Sequence, residues 1–232
     1  MDILRYRVTS VEKQAKDIRI IRMEAEGEPL EYLPGHFVML HALDKDGNEM
    51  VKRPYSLASS PTQPYLEFCI KMIDGQMTSI MKKAKEGDVY GVSGPMGHFI
   101  YEKQEKCAFI AGGTGIAPFM SMLRYIRDEK IKGQFTLFFS ARKRSLILYA
   151  RELEELARSK SVDVVITLTR EEPKSWEGEC GRINEAMLLK YAGPLDERQW
   201  FLCGPLKMTM TMRDLLIKEG VDQSAVKFEG WG

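Results

Sequence analysis

The stretch Ala111-Gly112-Gly113-Thr114-Gly115-Ile116-Ala117-Pro118 decides how this chain is read. It follows the apolar run Cys107 to Ala111 and opens a helical segment from Gly115 to about Glu129. Ile116, Phe119, Met120, Leu123 and Ile126 recur there at helical spacing and supply a buried stripe. Between strand and helix, the glycines let the backbone turn tightly and approach an anion without Cβ clash. The helix N-terminus adds N–H groups and a partial positive charge. The stretch reads G-x-G-x-x-P and lacks the third glycine of the usual dinucleotide fingerprint. A plain strand-to-helix turn is therefore the alternative to a phosphate cradle.

Downstream, apolar strands alternate with amphipathic helices. Strands are expected at Phe135 to Ser140, Asp163 to Thr169, Trp200 to Cys203 and Val226 to Glu229. Helices are expected over Leu148 to Arg158, near Ile183 to Tyr191, and over Leu206 to Glu219. Such alternation implies βαβ units and a parallel sheet of about five strands. The strand after the glycine turn ends in Ser140-Ala141-Arg142-Lys143-Arg144 instead of the acidic residue that reads a ribose 2′-hydroxyl. Basic groups there suit a 2′-phosphate and bias the reading toward NADPH; a solvated basic loop is the alternative.

Upstream the rhythm is different. Asp17 to Met23 and Tyr65 to Lys71 carry period-two character, and His36 to Leu43, Arg53 to Ser59 and Asp88 to Gly94 read as further strands. With the opening segment Leu4 to Val11 this makes about six strands, interrupted by one short helix over Thr78 to Lys85. The expected fold is an N-terminal six-stranded antiparallel β-barrel followed by a C-terminal α/β domain with a five-stranded parallel sheet. The boundary is expected near Glu105, giving domains 1–104 and 105–232.

The chain has 232 residues, 44% hydrophobic and 29% charged, so it can bury real cores without disulfides or metals. A net charge of +1 gives no overall field toward nucleic acid or an anionic membrane. The N-terminus lacks the apolar region of a signal peptide, and no apolar run approaches the ~20 residues that span a bilayer. A cytoplasmic location is expected. Cys69, Cys107, Cys180 and Cys203 are scattered singly, without the close spacing of zinc or iron–sulfur sites. Any cluster is expected on another protein.

Arg53-Pro54-Tyr55-Ser56, Ile70-Lys71 through Gly75 to Thr78, Gly94-Pro95-Met96-Gly97, Gly112 to Pro118, and Cys203-Gly204-Pro205 occur in that order along nearly the whole chain. In this order they resemble the ferredoxin–NADP reductase superfamily, of the flavin reductase and oxygenase-reductase type without a fused iron–sulfur domain. The resemblance implies flavin on the barrel and a nicotinamide nucleotide on the α/β domain. It implies that Arg53 meets flavin phosphate, that Tyr55 flanks the isoalloxazine with Pro54 beside it, and that Ser56 lies near flavin N5. A forked guanidinium suits phosphate, and a tyrosine ring can stack while its hydroxyl stays wet. Gly75-Gln76-Met77-Thr78-Ser79 matches the second flavin element at a helix start, which favours FAD over FMN.

By the same resemblance Cys203 lies beside the nicotinamide, with Gly204 and Pro205 following, and Gly112, Gly113, Thr114, Gly115 and Pro118 hold the nucleotide. Thr169-Arg170, with Arg182 downstream, resembles the segment that meets a 2′-phosphate in NADPH-using members, beside the Ser140 and Arg142 of the basic strand end, with NADH use an alternative. Glu229 falls where the family often places a glutamate near the flavin. Trp231 is expected either to cover the flavin face as a gate or to belong to a frayed terminus. His36, where many relatives carry glutamine, reads as a barrel packing or hydrogen-bonding residue.

The implied reaction is hydride transfer from nicotinamide C4 to flavin N5, then two single-electron exits. Ferredoxin, flavodoxin or an oxygenase component is the implied partner. Lys82, Lys83 and Lys85 either help dock an acidic ferredoxin or form a solvated helix face. The rival readings are an electron-transfer subunit of a dihydroorotate dehydrogenase or hydrogenase type, a free-flavin reductase, and a nucleotide-sensing module without electron output.

Overall fold

The computed structural model describes residues 2–231. They form two compact units, residues 2–101 with 117–125, and residues 102–116 with 126–231.

The first unit is built on β1 (Leu4–Ala15), β2 (Ile18–Ala25), β3 (Phe37–Leu43), β4 (Glu49–Ser56), β5 (Leu66–Lys71) and β6 (Val89–Met96). They make one six-stranded sheet in the order β4-β3-β6-β1-β2-β5, antiparallel at every pairing. Its edge strands meet just past β4, where Leu57 bridges Phe68 and the Ala58 N–H donates to the Glu67 carbonyl at 2.8 Å. Contact at this point closes the sheet into the expected barrel. Strand alternation turns Tyr6, Val8, Val38, Leu40, Tyr90 and Val92 into its core.

The helix α1 (Gln76–Met81) is earlier and shorter than the expected Thr78 to Lys85. Past Met81 the N–H groups of Lys83 and Ala84 turn back onto the carbonyls of Ile80 and Met81, which tightens and ends the helix. Met77 and Met81 are buried in the barrel core.

The second unit carries β7 (Lys106–Gly112), β8 (Gln134–Ala141), β9 (Asp163–Leu168), β10 (Glu179–Cys180), β11 (Gln199–Pro205) and β12 (Val226–Trp231). The sheet is parallel throughout, in the order β10-β9-β8-β7-β11-β12. About five strands were expected; the sixth, β10, pairs only Glu179 with Thr167 and Cys180 with Leu168. Two residues are too short to show any periodicity. The remaining helices are α2 (Ala117–Asp128), α3 (Ala150–Arg158), α4 (Glu185–Ala192) and α5 (Leu206–Lys218). Ile110, Phe138, Trp200, Leu202 and Leu216 lie in this unit's core. The expected stripe Ile116, Phe119, Met120, Leu123 and Ile126 is buried at every position.

The helix after the glycine turn starts later than Gly115: Gly113–Ile116 is a turn of 3-10 helix, and α2 follows. Gly113 takes a left-handed φ of 57°, which suits glycine and delays the regular helix.

Candidate functional site

In the barrel unit, β4 carries the Arg53 to Ser56 stretch. Arg53 pairs with Leu40 and Tyr55 with Val38, so the two side chains share one face of the strand. Pro54 falls on an end strand of the ladder, where a missing N–H costs least. Arg53 is exposed, and its Nη1 donates to the Lys52 carbonyl at 2.7 Å. Tyr55 is half-buried, edge-on to Phe68 with ring centroids 6.4 Å apart, and burial raises its phenol pKa. Ser56, also half-buried, ends the strand opposite Phe37.

The expected second flavin element is split between core and surface. Ile70 and Met77 turn into the core, whereas Lys71, Gly75 and Ser79 are exposed. The Thr78 hydroxyl donates to the carbonyls of Ile73 at 2.6 Å and Gly75 at 3.2 Å, so its proton holds its own loop. No side chain caps α1, which leaves its first-turn N–H groups as the donors of this element. An exposed guanidinium, a half-buried aromatic ring and an uncapped helix start match a flavin with a phosphate tail, so the residues fit the group. His36 is half-buried and local: its Nδ1 accepts from the Leu33 N–H at 3.0 Å, and burial lowers its pKa.

In the α/β unit, β7 lies between β8 and β11, and the chain runs outward from it in both directions. The gap between β7 and β11 is therefore the topological switch point, where open α/β sheets take ligands beyond their carboxyl ends. Ala111 pairs with Cys203, so the glycine turn and Cys203-Gly204-Pro205 leave the sheet side by side at this point. The two turns fit closely. A Cβ on Gly115 would lie 2.3 Å from the Cys203 carbonyl oxygen, and one on Gly112 would lie 2.8 Å from Met208 Sδ. A Cβ on Gly113 would meet nothing within 4 Å, so the exposed side of the turn is open to an anion. Thr114 is half-buried there, and Pro118 is buried in the first turn of α2, where its missing N–H is tolerated.

The basic residues come from neighbouring strand ends. Thr169 and Arg170 donate through their N–H groups to the carbonyls of Ala141 and Arg142, and the Gly181 N–H donates to the Leu168 carbonyl. Arg142, Arg170 and Arg182 thus follow three adjacent strands β8, β9 and β10, and all three are exposed. Ser140, half-buried, pairs with Gly112 on one side and Thr167 on the other.

Cys203 is fully buried, and burial, with a smaller push from Glu229, raises its thiol pKa well above the ordinary value. Cys69 and Cys107 are buried too, whereas Cys180 is exposed. Glu229 is registered with Cys203 across β11 and β12, and burial raises its carboxyl pKa to about 7. β12 continues through Trp231, which pairs with Pro205. Trp231 is 44% exposed.

Two residues that sequence reasoning missed are Arg124 and Glu67. Both are buried, and Arg124 Nη1 donates to Glu67 Oε1 at 2.7 Å. A signal existed: Arg124 falls four residues after Met120 on the apolar face of α2, and Glu67 sits inside the apolar run Leu66 to Ile70.

Comparison with known proteins follows this division. Residues 5–101 match the oxidoreductase FAD-binding domain, and residues 109–214 match the oxidoreductase NAD-binding domain. The chain is 35% identical over 234 aligned positions to the glycine betaine monooxygenase reductase subunit of Pseudomonas aeruginosa, covering 97% of this chain and 63% of the relative. It is 31% identical to the stachydrine N-demethylase reductase subunit of Rhizobium meliloti, over 82% of this chain and 56% of that protein. The chain thus spans less than two thirds of the length of these relatives. Among solved structures, a ferredoxin NADP+ reductase from Neisseria gonorrhoeae with bound FAD and NADP superposes with a TM-score of 0.84 at 20% identity, covering 99% of each chain. The FAD/NAD-binding domain of a nitric oxide dioxygenase from Vibrio cholerae gives 0.89 at 19%, covering 100% of each chain. These likenesses establish a ferredoxin–NADP reductase-like fold.

Proposed function

From a chain that belongs to the ferredoxin–NADP reductase-like oxidoreductases and pairs a FAD-binding with an NAD-binding domain, we propose a reductase that carries electrons from NADPH through FAD to an oxygenase component or a ferredoxin-like protein. We place its domain boundary near Glu105. The observation that carries the reading is the joint placement of two motifs in one chain. Arg53 to Ser56 end a strand of a closed barrel, and the glycine turn leaves a parallel sheet beside Cys203 at its switch point.

FAD, when bound, would supply two-electron acceptance from a nicotinamide and one-electron release; the protein supplies binding and orientation. Arg53 and the first turn of α1 hold its phosphates, with Pro54, Lys71, Gly75 and Ser79 lining the path and Ile70, Met77 and Thr78 shaping it from the core. Tyr55 flanks the ring system and Ser56 offers its hydroxyl near the reacting nitrogen. On the nucleotide side, Gly112, Gly113, Thr114, Gly115 and Pro118 present the backbone of the turn to the pyrophosphate. Ser140, Arg142, Arg170 and Arg182 take the 2′-phosphate, through charge-assisted hydrogen bonds. Cys203, Gly204 and Pro205 border the nicotinamide. A neutral thiol there packs against the ring without adding charge. Glu229, with its pKa of about 7, stores or releases a proton at working pH. Trp231, opposite Pro205, stands at the same edge of this sheet.

Among the described residues no helix is long and apolar enough to cross a membrane. The relative named as a monooxygenase reductase subunit favours an oxygenase component as acceptor. The experiment is steady-state reduction of ferricyanide by NADPH with FAD-loaded protein. Turnover that vanishes when FAD is removed and returns on its addition supports the reading. Turnover independent of FAD sinks it.

A further inference from the structure

The barrel closes through a segment that the proposed cofactor contacts do not explain. Past Ser56, residues Leu57, Ala58, Ser59 and Ser60 are all fully buried. Their main chain is tied at successive positions. The Leu57 N–H donates to the His36 carbonyl at 3.0 Å, and the Ala58 N–H to the Glu67 carbonyl at 2.8 Å. The Ala58 carbonyl accepts from Arg124 Nη1 at 2.8 Å, and Ser59 Oγ accepts from the Glu67 N–H at 3.0 Å. Tyr32 Oη lies 2.8 Å from Ser59 Oγ.

At the centre is an ion pair almost without solvent. Arg124 is 2% exposed and Glu67 0%. Glu67 Oε1 accepts from Arg124 at 2.7 Å, and Oε2 accepts from Arg22 Nε at 2.7 Å. Arg22 in turn lies over the Tyr65 ring, 4.9 Å from its centroid. Replacing such a buried pair by well-packed apolar residues is often neutral or stabilising, so its presence does not by itself account for the fold. What an apolar pair cannot do is bond the Ala58 carbonyl. The single Nη1 that meets Glu67 also meets Ala58, two residues after Ser56. The guanidinium therefore fixes main-chain position as well as charge.

We propose that Arg124, oriented by Glu67, is a positioning residue that sets where Ser56 presents its hydroxyl to the bound flavin. This rests on the flavoprotein reading of Arg53 to Ser56. Loss of the brace lets residues 57–59 relax and carries the end of β4 with them. A misplacement of about 1 Å is enough to cost as much as a hundredfold in rate.

The test uses the whole chain loaded with FAD, as wild type, S56A, R124M, R124K, S56A/R124M and R124M/E67L. Melting temperature, FAD affinity, the visible circular dichroism of bound FAD and the anaerobic rate of reduction by NADPH are compared. S56A and R124M are expected to lower the reduction rate by on the order of tenfold each, with the double variant no slower than the slower single, because the two act on one geometry. The visible dichroism changes alike in both, R124K recovers part of the rate, and R124M/E67L regains melting temperature but not rate. If R124M does not fold, R124K and R124M/E67L carry the same comparison. Multiplying losses in S56A/R124M, or rate and dichroism that follow melting temperature alone, would overturn the proposal while leaving the flavoprotein reading intact. A wild-type chain that binds no flavin would overturn both.

Discussion

Cys203 and Glu229 stand opposite one another on neighbouring parallel strands, and burial raises the proton affinity of both. One is held as a neutral thiol throughout the physiological range, while the other changes charge within it. The pair thus combines an inert wall with a titrating group at the carboxyl edge of the sheet.

Glu229 leads to a pH prediction. Its folded pKa of about 7 exceeds the ordinary carboxyl value, so the folded state holds the proton more tightly than the unfolded state. Stability then falls as pH rises from the unfolded pKa through 7, and the penalty is complete above it. E229Q is expected to melt higher than wild type at pH 8 and about equal to it at pH 4. It also removes an inflection near pH 7 from the reduction rate. Parallel melting curves at both pH values would contradict this.

Thiol chemistry should be equally selective. Cys180 is exposed, whereas Cys69, Cys107 and Cys203 are buried, and burial lifts the Cys107 thiol to about 12. The folded protein is expected to react at Cys180 alone with an aromatic disulfide reagent, and at the others only in denaturant. Rapid labelling of Cys203 in the native state would show that its wall is open.

Much of this was legible beforehand, and the reasons differ by element. The barrel showed in its several short strand-like runs between turn signals, and the sheet in repeated strand–helix periods after Cys107. At β5 the expected alternation is absent, because Leu66 to Ile70 are all buried. β10 escaped because two residues carry no period. Arg142 was named from a strand end, and Arg170 and Arg182 from the family resemblance; that all three follow adjacent strands needed the register. The Thr78 hydroxyl, in the expected second flavin element, donates to the Ile73 carbonyl, a partner five residues back that no local pattern shows. The Arg124–Glu67 pair joins positions 57 residues apart, and no local pattern announces such a bond.

Nucleotide choice tests the arginines. R142A, R170A and R182A are each expected to raise the KM for NADPH about tenfold, the size of one charge-assisted hydrogen bond. The KM for NADH should stay within about twofold, and high salt should shrink the difference. Equal losses with both nucleotides would argue that these residues do not read a 2′-phosphate.

The glycine turn gives a contrast between neighbours. G115A forces a Cβ to within 2.3 Å of the Cys203 carbonyl oxygen, so the two turns must part, at a cost of about 1–3 kcal/mol. G113A meets open space and bears only its left-handed φ, about 1 kcal/mol. Thermal melts should rank wild type, G113A, G115A, with nucleotide binding lost chiefly in the last. A G115A protein as stable as G113A would contradict the packing described.

The central claim is that this chain binds a flavin that a nicotinamide nucleotide reduces, and a visible spectrum tests it most directly. The protein, purified and supplemented with FAD, is titrated without oxygen, first with NADPH and in a separate sample with NADH. The account predicts a flavin spectrum that bleaches with either nucleotide and faster with NADPH. Absence of bound flavin after reconstitution with FAD or FMN, or a bound flavin that neither nucleotide bleaches, would contradict it.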